Sequence, residues 1–363
     1  MNRRGAIAAA GIGLGVAGSA LLARRRAADL RGQVAVVTGG SRGLGLLLAR
    51  ELAWEGCRVV ICARDEAELG RARESLEREV EGAEVLTVVC DVSEQAQVTR
   101  LVAEATARFG RVDLLVNNAG VITVGPIQNM TVQDFENSMD IIFWGGVYAT
   151  LAVLPGMLER GAGRVVNITS VGGKVSVPHL LPYTSAKFAM VGFSEGLRAE
   201  LAGTGVTVTT IAPGLMRTGS PFNAFFKGRQ EREFTWFAAG DSLAFVSMDA
   251  ERAARQIVAA AKRGEAERIL SLPATALARF HGLFPGTTSD LLGLVNRLIL
   301  PRPDDTAPAG ADGIARGMDV HGRMRAPLLD AVLTWTTKSA ARFNQRPGPL
   351  DAPGQGAQAA PTT

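Results

Sequence analysis

The chain has 363 residues, of which 47% are hydrophobic, so it is long enough to bury a large core. Its formal net charge is +4, but residues 1–31 carry six arginines and one aspartate, which leaves the remainder slightly acidic. This distribution excludes a nucleic-acid-binding face on the main part of the chain. The three cysteines and three histidines lack metal-ligand spacing, so no metal site is expected.

Residues 5–23 form a run of 19 residues without a charge, with arginines on both sides of it. As a helix this run would be about 28 Å long, close to the hydrocarbon thickness of a bilayer. We therefore predict a hydrophobic anchor within residues 1–31. The triple arginine at 24–26 favours a catalytic domain on the cytoplasmic side of the membrane. The alternatives are a cleaved signal peptide and a disordered or interfacial extension of a soluble cytoplasmic protein.

The letters GLGVAG at 13–18 match the dinucleotide-binding pattern G-x-G-x-x-G, but they follow no strand and open no βαβ unit. Gly11, Gly15 and Ser19 instead recur every four residues, which is typical of a small-residue packing face between membrane helices. The pattern is therefore interpreted as part of the anchor.

From residue 33 onward, short apolar runs alternate with helical patterns. In chain order, strands are predicted at QVAVVT, RVVICA, EVLTVVCDV, VDLLVN, GRVVNITS, VTVTTIAP and RILSL, with helices up to Trp54 and at about 65–80, 94–108, 134–159, 182–202 and 249–263. Continuous apolar strands separated by helices predict a parallel sheet covered on both faces. The predicted fold class is α/β, a doubly wound parallel sheet (Rossmann fold) in a single domain.

We place the catalytic domain at 32–272, with a lid at 217–243. A C-terminal apolar and helical extension follows at 273–346, and a disordered tail rich in Pro, Gly, Ala and Gln occupies 347–363. The apolar segments between 274 and 300 either rest on a membrane or cover an edge of the sheet.

The run TGGSRGLG at 38–45 lies between the first strand and the first helix of the sheet. Backbone N–H groups of such a turn and of the helix N-terminus face an anion, and glycines allow it to approach closely. This run is therefore the predicted pyrophosphate site.

Five further motifs follow in order: CDV, NNAG, Ser170, YTSAK and PGLMRT, with Ser170 thirteen residues before Tyr183. This series resembles the short-chain dehydrogenase/reductase family from about residue 30 to 272. The resemblance implies an NAD(P)-dependent oxidoreductase acting on CH–OH and C=O groups, with Ser170, Tyr183 and Lys187 as catalytic residues. It also assigns cofactor binding to Gly39, Ser41, Arg42, Gly43, Leu44, Gly45, Arg64, Asp91, Val92, Asn118, Ala119, Gly120, Pro213, Gly214 and Thr218, together with Tyr183 and Lys187.

The chemistry of the catalytic set follows from its residue types. Tyr183 and Lys187 are four residues apart and so share one face of a helix. The lysine ammonium is expected to lower the pKa of the tyrosine, which then exchanges a proton with a substrate oxygen. The hydroxyl of Ser170 can hydrogen-bond the same oxygen as charge develops on it.

The predicted cofactor is NADP(H) rather than NAD(H). NAD-preferring proteins of this kind end the second strand with an acid, whereas this strand ends with Ala63 and Arg64. Arg42 in the glycine-rich run is a second cation, and two guanidiniums suit a 2′-phosphate. The alternative is that both arginines are solvated surface residues.

The family also places an asparagine on the long helix that precedes GRVVNITS. Here Ile142 stands at that position, or Phe143 if the alignment is anchored on Gly146. Neither side chain can hold the water of the family's proton relay. The chain is still expected to be an active enzyme, and the alternative is an NADP-binding scaffold or sensor with weak catalysis.

The lid is rich in aromatic residues, which predicts an apolar, lipid- or steroid-like substrate. Phe222, Phe225 and Phe226 are candidate substrate contacts, and His179 is a fourth. The alternatives are a lid that packs on its own core and an ordinary loop histidine. A homo-oligomer is the family's default expectation.

Overall fold

The computed structural model describes residues 27–242, 247–304, 313–324, 333, 337 and 339–345. The predicted anchor at 5–23 and the predicted tail at 347–363 lie outside these residues. The described strands are β1 (Val34–Thr38), β2 (Arg58–Ala63), β3 (Val85–Val89), β4 (Leu114–Asn117), β5 (Thr123–Val124), β6 (Gly163–Ile168), β7 (Val206–Pro213), β8 (Met216–Arg217), β9 (Phe225–Phe226), β10 (Met248–Asp249), β11 (Glu267–Leu270) and β12 (Ala315–Arg316).

The described helices are α1 (Gly43–Trp54), α2 (Glu66–Glu79), α3 (Gln95–Phe109), α4 (Val132–Ser138), α5 (Gly145–Glu159), α6 (Leu181–Glu200), α7 (Ser220–Asn223), α8 (Gln230–Ser242), α9 (Ala250–Arg263), α10 (Leu272–Leu283), α11 (Pro285–Leu298) and α12 (Gly317–Arg323). Short 3₁₀ turns lie at Ile127–Asn129 and Val171–Gly173.

Seven of the strands form one parallel sheet in the order β11-β7-β6-β4-β1-β2-β3. The chain runs outward from β1 to β3 and then crosses back to β4, so the strand order reverses between β1 and β4. Ligands of such sheets bind outside the carboxyl ends of the strands at this point. The predicted doubly wound fold is confirmed.

The central strands are rich in buried apolar residues because helices cover both faces of the sheet. All five residues of β1 are buried, and its first four alternate between two hydrophobic clusters, one on each face. Helices α1, α2 and α9 contribute to one cluster, and α3 and α5 contribute to the other. Burial on both faces explains why these strands read as continuous apolar runs rather than as alternating ones.

A π-helical turn, Met139–Trp144, joins α4 to α5 in one continuous helix from residue 132 to 159. By length and composition alone this helix could cross a membrane. Its residues Ala149, Val153 and Met157 are buried in the core beneath the sheet. Packing within the domain is therefore a sufficient reason for its apolar composition.

The lid is held to the C-terminal part of the chain by a small sheet and an aromatic cluster. Strand β9 of the lid pairs with β5 on one side and with β12 on the other. The rings of Phe222, Phe226, Phe234 and Phe237 are buried together with Val320, Leu333 and Ala340. Much of the aromatic content of the lid thus forms its own core.

This packing corrects the prediction that Phe222 and Phe226 contact substrate. Their side chains are 1% and 0% exposed, and both rings lie against Phe234. Phe225 alternates with Phe226 along β9 and points the other way, so it remains partly exposed. Of the three predicted aromatic contacts, Phe225 alone borders the main cavity described below.

Phe234→Ala is expected to destabilise the protein, since Phe234 is fully buried where the lid meets the C-terminal extension. Truncation of a buried phenylalanine costs about 3–5 kcal/mol. Urea unfolding measures the change, and Phe280→Ala is the control because that ring is 40% exposed. Equal losses in the two variants would contradict the lid core described here.

Candidate active site

A cavity of about 650 Å³ opens at the carboxyl ends of β1, β2 and β4. It brings together most of the residues predicted to bind a cofactor: Gly39, Ser41, Arg42, Leu44, Gly45, Arg64, Asp91, Val92, Asn118, Ala119 and Gly120. The other predicted cofactor residues are not among its lining residues: Gly43, Tyr183, Lys187, Pro213, Gly214 and Thr218. The cavity lies where the strand order reverses, as expected for a dinucleotide site.

The glycine-rich turn is fixed to the end of β4 through Thr38. The Thr38 hydroxyl accepts hydrogen bonds from the backbone N–H groups of Asn118 and Ala119, at 3.0 and 3.1 Å. The Asn118 side chain donates in return to the carbonyls of Thr38 and Gly39. Asn118 therefore acts as a structural tie between the turn and the sheet.

Glycine is required within the turn for two physical reasons. Gly39 and Gly43 have φ angles of +62° and +54°, which other residues rarely adopt. A Cβ atom at Gly45 would overlap the carbonyl of Gly39, so helix α1 could not pack on the turn. The turn is thus a backbone cradle of the kind that fits a pyrophosphate at a helix N-terminus.

The two arginines predicted to read the cofactor both border the cavity and both contact an acid. Arg42 pairs with Glu68 at 3.0 Å, and the Ser41 hydroxyl also donates to Glu68. Arg64 lies 3.7 Å from Asp91 and its side chain is 66% exposed. Both guanidiniums thus lie at the cavity wall, each next to a carboxylate.

A further arginine in the cavity escaped the sequence analysis. Arg316 lies on β12, outside the motifs, and donates to the side chain of Asn223 at 2.6 Å. Burial lowers its pKa, and the positive charge of Arg42 acts in the same direction. No local pattern marks Arg316, since its position depends on the pairing of β12 with β9.

The C-terminal segment (339–345) also reaches the glycine-rich turn. The N–H of Gly43 donates to the carbonyl of Phe343 at 2.9 Å. The side chain of Asn344 donates to the carbonyls of Ser41 and Glu68 at 2.9 and 3.1 Å. These contacts cover Gly43, which explains its absence from the cavity wall.

Ser170, Tyr183 and Lys187 lie close to one another around the 3₁₀ turn Val171–Gly173. A Cβ atom at Gly172 would lie 3.3 Å from a ring carbon of Tyr183 and 3.4 Å from the Ser170 hydroxyl. The Nζ atom of Lys187 lies 5.6 Å from the centre of the Tyr183 ring and donates to the carbonyl of Ile168 at 2.7 Å. The fold thus assembles the three residues that the motifs single out.

The acid–base properties of the tyrosine and the lysine differ from the sequence expectation. Burial raises the pKa of Tyr183 to about 12, although the Ser170 hydroxyl lowers it in part. Burial also lowers the pKa of Lys187 to about 7. The predicted lowering of the tyrosine pKa is therefore wrong for the cofactor-free protein, because desolvation outweighs the hydrogen bond to Ser170.

Ile142 occupies the space beside this amine. It lies in the π-helical turn and packs with Ala186 and Met190 next to Tyr183. A Cβ atom at Gly120 would lie 3.7 Å from Ile142 and 3.9 Å from the Nζ of Lys187, so both side chains border that glycine. Phe143 instead packs on Trp144 and Phe193. The structure thus selects Ile142 as the residue that faces the lysine.

His179 is tied to the lid. Its Nδ1 atom lies 2.9 Å from both carboxylate oxygens of Glu233, and Trp236 donates its indole N–H to the same carboxylate. Both His179 and Glu233 are buried. The histidine predicted as a substrate contact is therefore engaged in holding α8 above the site.

The PGLMRT run connects the sheet to the lid. Pro213 ends β7, and the N–H of Gly214 donates to the carbonyl of Leu270 on the neighbouring strand. The Thr218 hydroxyl donates to Ser220, which donates to the buried carboxyl of Asp241 at 2.9 Å. Burial raises the pKa of Asp241 to about 7, and its charge adds to the rise in the Tyr183 pKa. Asp241 is a second residue of the site that no motif marks.

Among the described residues no cluster of histidine, cysteine, aspartate or glutamate could hold a metal ion. The three cysteines, Cys57, Cys62 and Cys90, are buried and unpaired.

Comparison with known proteins agrees with this geometry. The model of the short chain dehydrogenase family matches residues 33–224. The dehydrogenase/reductase SDR family member 7B of Danio rerio is 36% identical over 224 residues, which are 61% of this chain and 72% of that protein. This chain belongs to the short-chain dehydrogenase/reductase family.

Solved structures give the same result. Levodione reductase is 28% identical, with a TM-score of 0.59 over 68% of this chain and 99% of the reductase. A single-residue variant of actinorhodin polyketide ketoreductase, solved with NADPH, is 33% identical, with a TM-score of 0.57 over 66% of this chain and 95% of that one. The protein is thus an oxidoreductase whose fold binds a nicotinamide cofactor.

Burial of Lys187 gives the cofactor-free protein a specific pH dependence. The unfolded amine keeps a pKa near 10.5 and the folded one has a pKa of about 7, so the unfolded state binds more protons between these values. The free energy of unfolding therefore rises with pH in this window. From pH 7 to 9 we expect the wild type to gain about 2 kcal/mol relative to Lys187→Met.

Urea titrations of both proteins at the two pH values measure this difference. Burial raises the pKa of Cys57, and a hydrogen bond with Cys90 together with burial raises the pKa of Cys62. These two groups lower the stability as the unfolded thiols ionise near pH 9, but both proteins contain them and their contribution cancels in the comparison. Parallel pH profiles for wild type and Lys187→Met would contradict a low lysine pKa.

Proposed function

We propose that this protein is an NADP(H)-dependent oxidoreductase that interconverts an alcohol and a carbonyl on an apolar, lipid- or steroid-like substrate. The observation that carries this proposal is that Ser170 and Tyr183 meet beside Gly172, while the Nζ of Lys187 lies between the Tyr183 ring and Gly120 of the cavity wall. The proposed catalytic domain is residues 32–272, with the lid at 217–243 and the extension at 273–346.

In this proposal the nicotinamide, when bound, supplies or takes the hydride. In reduction Tyr183 gives its phenolic proton to the carbonyl oxygen, and in oxidation it takes the proton of the hydroxyl group. Ser170 donates a hydrogen bond to the same oxygen and stabilises its developing charge. Lys187, next to the ring, electrostatically stabilises the phenolate that remains after the proton has left.

The acid–base properties of the site favour carbonyl reduction. A phenol with a pKa of about 12 keeps its proton at neutral pH, so Tyr183 is ready to act as an acid. Burial lowers the pKa of Lys187 to about 7, so the amine is not fully charged at neutral pH. Both relatives with solved structures described above carry the name reductase or ketoreductase, which supports the same direction.

The choice of NADP(H) is supported by the charges of the cavity wall. No acid ends β2; Ala63 and Arg64 stand there instead. Arg42, Arg64 and Arg316 approach the cavity from the turn, from β2 and from β12. Three guanidiniums provide bidentate donors for a phosphate, and the acids beside two of them hold these side chains near the cavity until it binds.

We further propose that residues 5–23 anchor the protein in a membrane, with the catalytic domain on the cytoplasmic side. The flanking arginines and the chargeless run support this assignment. An apolar substrate agrees with such a location, because it would partition into the same lipid. A homo-oligomer remains the expectation taken from the family.

A second candidate function is an NADP-binding scaffold or sensor with weak catalysis. Ile142 favours it, since an isoleucine beside Lys187 offers no hydrogen bond for a proton relay. Incubation of the purified protein with NADPH and a panel of apolar ketones separates the two candidates. Cofactor binding without turnover across the panel supports the scaffold.

Tyr183→Phe should reduce turnover by about 10²- to 10⁴-fold, because it removes the proposed acid while retaining the ring. Oxidation of NADPH in the presence of an active ketone measures the rate, and fluorescence titration measures cofactor binding, which should survive. Tyr148→Phe is a matched control, since Tyr148 is the other tyrosine of the chain and stacks on Trp144. Retained activity in Tyr183→Phe would overturn the proton-transfer assignment.

Replacement of Arg42 and Arg64 by alanine tests the cofactor choice. Charge-assisted hydrogen bonds contribute about 1.5–3 kcal/mol each, so the dissociation constant for NADPH should rise roughly 10- to 100-fold per residue. The value for NADH should change much less. Arg73→Ala is the control, because Arg73 is exposed on α2 and pairs with Glu77. Equal losses for both cofactors would contradict the preference for NADP(H).

A further inference from the structure

Two helices extend from the end of β11 and bury very little against the domain. Helices α10 and α11, here called the C-terminal hairpin (272–299), contact each other and lie beyond the segment that matches the family model. Each helix has one buried residue, Ala274 in α10 and Thr288 in α11. The hairpin therefore does not cover the sheet edge with its apolar side chains.

The apolar side chains of α11 form one stripe, and that stripe faces solvent. Leu291, Leu294, Val295 and Leu298 follow the i, i+3, i+4, i+7 spacing of a single helical face. They are 52%, 52%, 37% and 70% exposed. An amphipathic helix normally packs such a stripe against the core. The exposed stripe of α11 therefore indicates contact with an apolar environment outside the chain.

Helix α10 continues the same apolar surface. Leu277, Phe280 and Phe284 are spaced three and four residues apart, and each is at least 38% exposed. The rings of Phe280 and Phe284 lie 5.3 Å apart. At the ends of the two helices Leu283, Leu298 and Ile299 are at least 70% exposed. Apolar groups thus cover both the side and the ends of the hairpin. A lipid layer can surround all of these groups, whereas a flat surface of a partner protein would cover only one side.

We propose that the C-terminal hairpin lies in the interfacial layer of a lipid bilayer. Its charges fit an anionic lipid surface, since Arg279, Arg297 and Arg302 are exposed and Asp290 is the single acid between residues 272 and 302. Helices that combine an apolar stripe with flanking arginines bind at this depth. Each leucine or phenylalanine that leaves water favours binding in proportion to the apolar area that it buries.

The connection of the hairpin to the start of the described chain agrees with this location. The N–H of Ala28 donates to the carbonyl of Lys262 at the end of α9, so the chain that follows the predicted anchor is attached there. A single strand, β11, separates α9 from the hairpin. This second argument rests on the anchor proposed at 5–23, whereas the apolar stripe and the arginines stand without it.

A fluorescent label on α11 of the full-length protein tests the proposal. All three native cysteines are buried, so Leu294→Cys introduces one reactive site for an environment-sensitive dye at an exposed position. Asn296→Cys is the matched control, because it lies at nearly the same height on the opposite, polar side of the helix. Vesicles of phosphatidylcholine and phosphatidylglycerol in equal amounts are the probe.

We expect the dye at position 294 to shift its emission to shorter wavelength with vesicles and to be quenched by spin-labelled lipid. The dye at 296 should change little. Unchanged emission at 294 in protein that sediments with the vesicles overturns the hairpin proposal and leaves the anchor intact. A shift at 294 in protein that alkaline carbonate extracts supports the hairpin and overturns the anchor. A shift without vesicles that grows with protein concentration assigns the surface to a second copy of the chain and overturns the lipid proposal.

Discussion

The hydroxyl of Thr38 joins the carboxyl ends of β1 and β4, and the cofactor site depends on this junction. It accepts hydrogen bonds from two backbone N–H groups of the NNAG motif, those of Asn118 and Ala119. The side chain of Asn118 donates hydrogen bonds back to the glycine-rich turn. The strand order reverses at the same place. A crevice therefore opens between the glycine-rich turn and the NNAG motif, and Gly120 of that motif lies close to the Nζ of the proposed catalytic Lys187.

Water exclusion governs the chemistry proposed for this crevice. Burial removes both Tyr183 and Lys187 from water, and the lid contributes a buried carboxyl, Asp241, near Tyr183. Burial raises the pKa of the phenol and lowers that of the amine, and the charge of Asp241 adds to the rise in the Tyr183 pKa. The replacement of a polar relay residue by isoleucine thus fits a site that starts from a protonated tyrosine and delivers that proton to a carbonyl oxygen.

The sheet and the motif residues could be predicted because their signals are local. Each strand is a continuous apolar run, and the glycine turn requires particular backbone conformations at Gly39 and Gly43. No such local signal marks Arg316, Asn344 or Asp241. These residues reach the site through strand pairing and through side-chain contacts with residues distant in sequence. The prediction for the aromatic lid was wrong in part for a related reason. Composition alone does not distinguish a ring that lines a pocket from a ring that fills a core, and Phe222 and Phe226 fill a core.

The contact between Gly43 and Phe343 determines what a fusion after Gln345 would contact. Any peptide or reporter fused after Gln345 begins at the rim of the cofactor crevice, next to Asn344 and the glycine-rich turn. A fusion there monitors cofactor entry, whereas one that pulls on this segment would also loosen the turn. The segment 339–345 therefore connects the C-terminal extension directly to the glycine-rich turn.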